Sequence, residues 1–209
     1  MQLDNPPRKP FVARGSNIQR CERCLLNTEG CICDARSEVK AKVQFCLLSH
    51  PYERYKPTNT GRLIVDSIAG SRVFNWHRTE PDPEFIKLIN DPGMDPYIVF
   101  PEDTDYEHRM TRFEEKFNRQ ALFIILDGTW RQARRIFRLS RYLDHLPVIS
   151  LTTVRRSRYN LRKAANDNQL CTVEVAAALL EEIGDDVAAV HLDKYFDLFN
   201  DRYLQTRRY

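Results

Sequence analysis

Short apolar runs that lack alternating polar residues leave this chain with few possible architectures. The clearest run is Ala-Leu-Phe-Ile-Ile-Leu at 121–126. A strand with one face in water alternates apolar and polar residues, whereas an unbroken run suits a strand that is covered on both faces of a parallel sheet. Because helical patterns lie between the runs, the sequence predicts an α/β fold with an open, mostly parallel sheet.

The same pattern predicts where the individual elements lie. Strands are predicted at 41–49, 71–76, 97–101, 121–127 and 148–152. Helices are predicted at 62–69, 108–119, 129–140, 172–183 and 187–203. A length of 209 residues fits one main domain with a small appendage. We therefore divide the chain into a flexible, proline-rich lead-in at 1–18, a cysteine knuckle at 19–36 and the main domain at 37–209.

The length of the apolar runs also indicates where in the cell the protein is expected. No run approaches the roughly 18 apolar residues that a membrane-spanning helix needs. Residues 1–7, Met-Gln-Leu-Asp-Asn-Pro-Pro, lack the apolar stretch of a signal peptide. The expectation from sequence is a cytoplasmic protein without a membrane partner.

Four cysteines lie within thirteen residues in the pattern C-x2-C-x6-C-x-C. Disulfides are disfavoured in the cytosol, and four close thiolates suit a tetrahedral, structural Zn²⁺ site. The C-x-C half is less usual, so a redox or iron–sulfur site remains the alternative. The predicted metal ligands are Cys21, Cys24, Cys31 and Cys33. Cys46 and Cys171 are predicted to be small buried residues.

Polar, acid-containing loops follow the predicted strands. In an open parallel sheet, ligands bind beyond the carboxyl ends of the strands, so these loops are expected to meet at one edge. Taken singly, each loop is also explained by turn formation or helix capping. Trp130, taken singly, is also explained as a residue of the core. The convergence of all the loops on one edge favours a ligand site. Three of the loops begin at His50, Pro101 and Asp127, and the fourth runs through the basic residues of 155–162 to the segment 170–174.

Basic residues crowd the segment 131–163, where ten Lys and Arg face a single acid, Asp144. Guanidinium groups pair bidentately with phosphate oxygens, so the cluster suits an RNA or another polyanion. The alternative is a solvated helix face whose counter-charges come from elsewhere in the fold.

Five separated motifs occur in one order along the chain. They are the four-cysteine knuckle, His50-Pro-x-Glu53, Asn59-Thr-Gly-Arg-Leu63, Asp127-x-Thr-Trp130 with Gln132, and Leu170-Cys-Thr-x-Glu174. Over residues 19–185 the chain thereby resembles the DTW-domain family, whose members are tRNA-uridine aminocarboxypropyltransferases.

The resemblance implies a fold related to the SPOUT superfamily, with a C-terminal knot whose loops hold S-adenosylmethionine. It also implies transfer of the 3-amino-3-carboxypropyl group to N3 of a uridine in tRNA, with release of methylthioadenosine. Residues 37–209 would then form the DTW catalytic domain. The partners implied are tRNA and S-adenosylmethionine, and a monomer is favoured over a homodimer.

Roles follow for individual residues. Asp127 either accepts the N3 proton or holds Thr129 or a ligand amine, and Trp130 packs on the donor or on a base. The catalytic candidates are Asp127, Thr129 and Trp130. The donor-binding candidates are Leu48, His50, Pro101, Glu102, Asp103, Leu126, Gln132, Leu170, Thr172 and Glu174. The RNA-binding candidates are Arg62, Arg131, Arg134, Arg135, Arg155, Arg156 and Arg158.

Rival functions use the same features. A SPOUT-type RNA methyltransferase or an rRNA aminocarboxypropyltransferase would use the same pocket. A non-catalytic, zinc-containing RNA-binding module would use the knuckle and the arginines, and would bind no donor.

Overall fold

A five-stranded parallel sheet forms the centre of the molecule, as seen in a computed structural model that describes residues 18–152, 155–159, 161 and 169–206. The strands are β1 (Gln44–Ser49), β2 (Arg72–Asn75), β3 (Met94–Val99), β4 (Gln120–Asp127) and β5 (Val148–Ile149). Their order across the sheet is β2-β1-β4-β3-β5, and every pair is parallel. The predicted α/β class and parallel sheet are confirmed.

In the described part of the chain, five α-helices cover the two faces of this sheet. They are α1 (Gly61–Ser67), α2 (Pro83–Ile89), α3 (Trp130–Leu139), α4 (Thr172–Glu182) and α5 (Asp186–Gln205). Within the described residues no helix is long and apolar enough to cross a bilayer. The knot implied by the family resemblance stays a prediction, and residues 1–17 of the predicted lead-in lie outside the described part of the chain.

Burial on both faces explains why the apolar runs do not alternate. On β1, Phe45 packs into the core cluster shared with α1, α4 and α5, while Cys46 packs into the cluster shared with α2 and α3. Neighbouring residues on a strand point to opposite faces, so both must be apolar here. Leu26 and Ile32 of the knuckle are buried in the first of these clusters, so the knuckle is part of the main core.

The helix predicted at 108–119 was wrong. Thr104–Arg109 forms a short 3-10 helix, and the chain then runs to β4 with irregular backbone. The Arg109 guanidinium donates to the carbonyls of Leu143 and Leu146 at 2.7 and 3.0 Å. Asn118 has a φ of 69°, which a helix does not accommodate. Helix-favouring charged side chains produced the misleading pattern.

Helix α2 was not predicted, although a local signal marks its start. Asp82 precedes the helix and accepts a hydrogen bond from the Glu84 backbone N–H at 2.9 Å, and Pro83 occupies the first turn. An Asp cap followed by Pro is a typical helix start.

Candidate functional site

A cavity of about 920 Å³ opens at the carboxyl ends of β3, β4 and β5. The N-termini of α3 and α4 reach it through Trp130 and Thr172, and Thr58–Thr60 from the loop before α1 completes one wall. Ligand pockets in proteins span roughly 300–1,000 Å³. The predicted ligand edge therefore carries a cavity at the upper end of that range.

Asp127, at the end of β4, is the centre of the polar floor of the cavity. Its side chain accepts hydrogen bonds from Ser49 Oγ at 2.7 Å, Asn59 Nδ2 at 2.8 Å and Thr172 Oγ1 at 2.8 Å. Asp127 is only 2% exposed. A Cβ at Gly61 would lie 3.1 Å from its Cγ, so glycine there permits the close packing. The carboxylate thus joins β1, β4, the loop before α1 and the start of α4.

Glu174 joins the segment 155–159 to helix α4. It is 1% exposed and accepts hydrogen bonds from Ser157 Oγ at 2.7 Å and from the Arg158 backbone N–H at 2.5 Å. It also accepts from the Cys171 backbone N–H at 2.9 Å, as the second half of a capping box. Burial raises the pKa of the Cys171 thiol. Glu174 therefore holds one wall of the cavity without lining it.

Thr129 and Gln132 form the capping box of α3. Gln132 Oε1 accepts from the Thr129 backbone N–H at 2.7 Å and from its hydroxyl at 2.9 Å. This cap fixes the direction in which Trp130 leaves the helix at the cavity mouth. The Trp130 ring meets Phe100 at 5.9 Å in a T-shaped arrangement.

The predicted donor-binding residues divide into two groups. The first group lines the cavity, as the three catalytic candidates also do, and consists of Pro101, Glu102, Leu126, Leu170 and Thr172. The described lining does not include Leu48, His50, Asp103, Gln132 or Glu174. Leu48 faces the core between the sheet and α3, and Asp103 caps the 3-10 helix by accepting from the Asp105 N–H at 3.2 Å. The ring of His50 lies against Trp76, outside the cavity.

The sequence-based site lacked two residues that line the cavity, Asn59 and Tyr159, and one that supports Asp127 from outside the described lining, Ser49. Ser49 and Asn59 hold Asp127, and Tyr159 donates from its hydroxyl to the Thr58 carbonyl at 2.5 Å. Asn59 belongs to the Asn-Thr-Gly motif noted in the sequence, so a signal for it existed. Ser49 and Tyr159 carried no comparable local signal, because only the fold brings them to this edge.

The four predicted metal ligands converge. The sulfurs of Cys21, Cys24, Cys31 and Cys33 all lie within 4.8 Å of one another. The pairs Cys21–Cys33 and Cys24–Cys31 are separated by 3.6 and 3.8 Å. A tetrahedron with Zn–S bonds of about 2.3 Å has edges of about 3.8 Å. The cluster therefore fits a zinc ion with four sulfur ligands.

Arg62 connects the knuckle to the cavity wall. Its guanidinium donates to the carbonyls of Cys24 at 2.8 Å, Lys56 at 2.6 Å, Arg54 at 3.2 Å and Asn59 at 3.2 Å. Burial lowers its pKa. With its donors directed at these carbonyls, Arg62 holds the loop that carries Asn59.

The remaining predicted RNA-binding arginines separate by environment. Arg131, Arg134 and Arg135 are exposed on α3, and Arg138 and Arg141 extend the same basic strip. Arg155 forms an ion pair with Asp193 of α5, and Arg158 pairs with Asp193 at 2.7 Å and Asp197 at 2.9 Å. Arg156 is exposed. Arg162 and Lys163 of the basic run lie outside the described residues.

Comparison with known proteins adds a family. The DTW domain family model matches residues 18–204. Two curated relatives, each named tRNA-uridine aminocarboxypropyltransferase 2, come from Macaca fascicularis and Drosophila melanogaster and are 25% identical over 170 residues. The match covers 77% of this chain but only 55% and 65% of the relatives. No solved structure matches the chain.

Proposed function

Since this chain belongs to the DTW domain family, we propose that it transfers the 3-amino-3-carboxypropyl group of S-adenosylmethionine to N3 of a uridine in tRNA. The observation that carries the proposal is the cavity at the carboxyl edge, whose mouth adjoins the exposed arginines of α3. The names of the two relatives support the same reaction.

The cavity suits the donor and the target base together. Its volume of about 920 Å³ leaves room for both. Val99, Phe100 and Leu126 offer apolar surface to the adenine and the thioether. The N-termini of α3 and α4 favour a carboxylate, because helix N-termini carry partial positive charge. Glu102 is exposed on the cavity wall and complements the ammonium group of the donor.

The reaction forms a bond between uracil N3 and the donor Cγ and breaks the bond between Cγ and sulfur. The electron pair of the broken bond stays on sulfur, so the sulfonium leaves as the neutral thioether methylthioadenosine. The N3 proton leaves to solvent through the cavity mouth. The donor also carries a methyl group, so the site must select Cγ by orientation.

We assign Asp127 to positioning. Its carboxylate already accepts three hydrogen bonds, and these fix Thr172 and Asn59 in the cavity wall. In an Asp127→Asn variant the new amide N–H₂ group cannot accept from Asn59 or Ser49. Positioning predicts that this variant binds S-adenosylmethionine at least tenfold more weakly, since a lost hydrogen bond to a charged group costs about 1.5–3 kcal/mol. Calorimetric titration measures this, and a variant that bound the donor normally but did not turn over would identify Asp127 as the general base.

The decisive experiment is nucleoside mass spectrometry of an unmodified tRNA transcript after incubation with the protein and S-adenosylmethionine. The proposal expects a uridine heavier by one aminocarboxypropyl group and release of methylthioadenosine. A gain of one methyl group would instead indicate an RNA methyltransferase. Modification of rRNA but not of tRNA would indicate an rRNA aminocarboxypropyltransferase. Binding of tRNA without binding of the donor would indicate a non-catalytic module.

For the knuckle we propose a structural Zn²⁺ held by Cys21, Cys24, Cys31 and Cys33. Four sulfur ligands leave no open coordination position, so the ion supplies folding energy and no reaction step. Metal analysis of the purified protein is expected to give one zinc per chain. Iron in that analysis would favour the iron–sulfur alternative.

We further propose that the protein acts as a monomer in the cytoplasm, where its proposed substrates occur. Light scattering of the purified protein tests the first point, and cell fractionation tests the second.

A further inference from the structure

The aromatic rings of Trp76, His50 and Tyr52 lie in a row next to the end of β4. The His50 ring stacks on the Trp76 ring with centroids 6.0 Å apart and lies 5.7 Å from the Tyr52 ring. Exposure increases along the file, because Trp76 is 7% exposed and Tyr52 is 77% exposed. The Trp76 ring is held in place by a hydrogen bond from its Nε1–H to Ser140 Oγ at 2.8 Å. We call these residues the ring file.

The ring file adjoins the end of β4. The His50 backbone N–H donates to the Asp127 carbonyl at 2.9 Å. A Cβ at Gly128 would lie 3.6 Å from His50 Cβ, and Gly128 itself lines the cavity. His50, the middle ring of the file, is therefore a neighbour of the cavity rim, separated from the interior by the backbone at 127–128, and Tyr52 follows it two residues later in the chain.

Positive charge lies close to the ring file. The Arg135 guanidinium of α3 lies 5.8 Å from the Trp76 ring centroid. Arg54 and Arg78, both exposed, follow Tyr52 and Trp76 closely in the chain. Exposed aromatic rings among cations are the usual means by which proteins bind unpaired RNA, since rings stack on bases while cations contact phosphates.

Uracil chemistry supplies the remaining step. N3 lies on the base-pairing edge of uracil, so a uridine can be alkylated there only when it is unpaired and withdrawn from its neighbours. We propose that Tyr52, supported by His50 and Trp76, stacks on the unpaired base adjacent to the uridine that enters the cavity. This inference rests on the proposed function and adds a second nucleotide site to it.

The test compares Tyr52→Ala with Tyr52→Phe and with Tyr55→Ala, which removes another exposed tyrosine of the same loop. The affinity for an unmodified tRNA transcript is measured at several salt concentrations. Tyr52→Ala is expected to weaken binding about tenfold, because stacking on one base is worth about 1–3 kcal/mol. The slope of affinity against salt stays unchanged, because no phosphate contact is lost. Tyr52→Phe and Tyr55→Ala are expected to bind like the wild type.

A second readout places the base. The transcript carries a fluorescent adenine analogue next to the modified uridine, and stacking quenches its emission with the wild type but not with Tyr52→Ala. Equal affinity of Tyr52→Ala and the wild type, a reduced salt slope, or unchanged quenching in the variant would each overturn the inference.

The controls separate this inference from the proposed function. Binding of S-adenosylmethionine to Tyr52→Ala, followed by calorimetry, is expected to match the wild type and shows that the cavity is intact. If the wild type neither binds nor modifies tRNA, both proposals fail. If the wild type modifies tRNA and Tyr52→Ala does so with the same KM, only the stacking site fails.

Discussion

The arginines of α3 and those at 155 and 158 look alike in the sequence but lie in different electrostatic surroundings. Arg131, Arg134 and Arg135 are exposed and have no carboxylate within ion-pair distance in the part of the chain that the structure describes. Arg155 and Arg158 instead meet the acidic side of α5. Uncompensated charge is available to a phosphate backbone, whereas compensated charge holds the segment 155–159 in place.

Spacing on α5 explains the difference. Asp193 and Asp197 are four residues apart, so they share one face of the helix and together receive the Arg158 guanidinium. The counter-charges that the sequence analysis gave as the alternative are therefore present for Arg155 and Arg158. The RNA-contacting role of the α3 group remains a proposal.

The largest expected effect comes from removing the α3 charges. In the combined variant Arg131→Gln, Arg134→Gln, Arg135→Gln and Arg138→Gln, the slope of log affinity for tRNA against log salt should fall by about 3, since each phosphate contact contributes about 0.7–0.9. That change corresponds to about a thousandfold weaker binding near 0.1 M salt. Filter binding at several salt concentrations measures it.

The matched control is the double variant Arg155→Gln, Arg158→Gln. It removes two charges that already have carboxylate partners, so the salt slope should change by less than about one unit. If the salt slope changed equally per arginine in the two variants, carboxylate partners would not distinguish the two groups of arginines.

A smaller effect is expected from Glu174→Gln. The amide keeps the size of the side chain but replaces one acceptor oxygen, so either the Arg158 donor or the Ser157 and Cys171 donors lose their partner. The free energy of unfolding should fall by about 2 kcal/mol. Urea unfolding measures it, and donor affinity should weaken because the cavity wall loosens. The control Glu181→Gln alters an exposed α4 carboxylate 3.8 Å from Arg155 and should have little effect.

Arg158→Gln should destabilise the protein less than Glu174→Gln does. Its ion pairs are partly exposed, and such pairs contribute about 0.2–1 kcal/mol each. Because screening weakens them, the difference from the wild type should shrink when urea unfolding is repeated at high salt. A loss that exceeds that of Glu174→Gln would show that the guanidinium, and not the buried carboxylate, holds the wall.

The smallest effect concerns pH. Burial and the charge of Arg135 lower the pKa of His50, while Lys56 acts in the same direction and Glu53 opposes them. Below about pH 6.5 the unfolded chain then binds more protons than the folded one, so the free energy of unfolding falls as the pH falls through this window. In Arg135→Gln the His50 pKa should rise toward its usual value and the loss should diminish. An NMR titration of the His50 ring checks this, and an unchanged pKa would show that Arg135 does not contribute.

Continuous apolar patterns were the reliable part of the sequence. Strand β4 was predicted at 121–127 and runs from Gln120 to Asp127, because burial on both faces leaves an unmistakable run. The segment at 108–119 misled for the opposite reason, since its charged residues favour helices locally while Arg109 binds distant carbonyls.

The site was predictable only in part. Asp127 follows a strand and could be placed at the ligand edge from the chain order alone. The role of Arg62 could not be predicted, because its partners are backbone carbonyls, which have no signature in the sequence. From the sequence, Glu174 could equally contact a ligand or cap helix α4. Only its hydrogen-bond partners in the structure distinguish the two roles.

The Arg62 contacts also bear on how the knuckle could be exchanged. Arg62 meets the knuckle at the carbonyl of Cys24, so the loop that carries Asn59 depends on where that backbone lies and not on the identity of the ligand side chains. A grafted turn with histidine ligands should preserve the cavity provided that it presents a carbonyl at the same point and fills the places of Leu26 and Ile32 in the core. The knuckle could therefore be exchanged only by a segment that reproduces both its polar contact to Arg62 and its apolar contacts to the core.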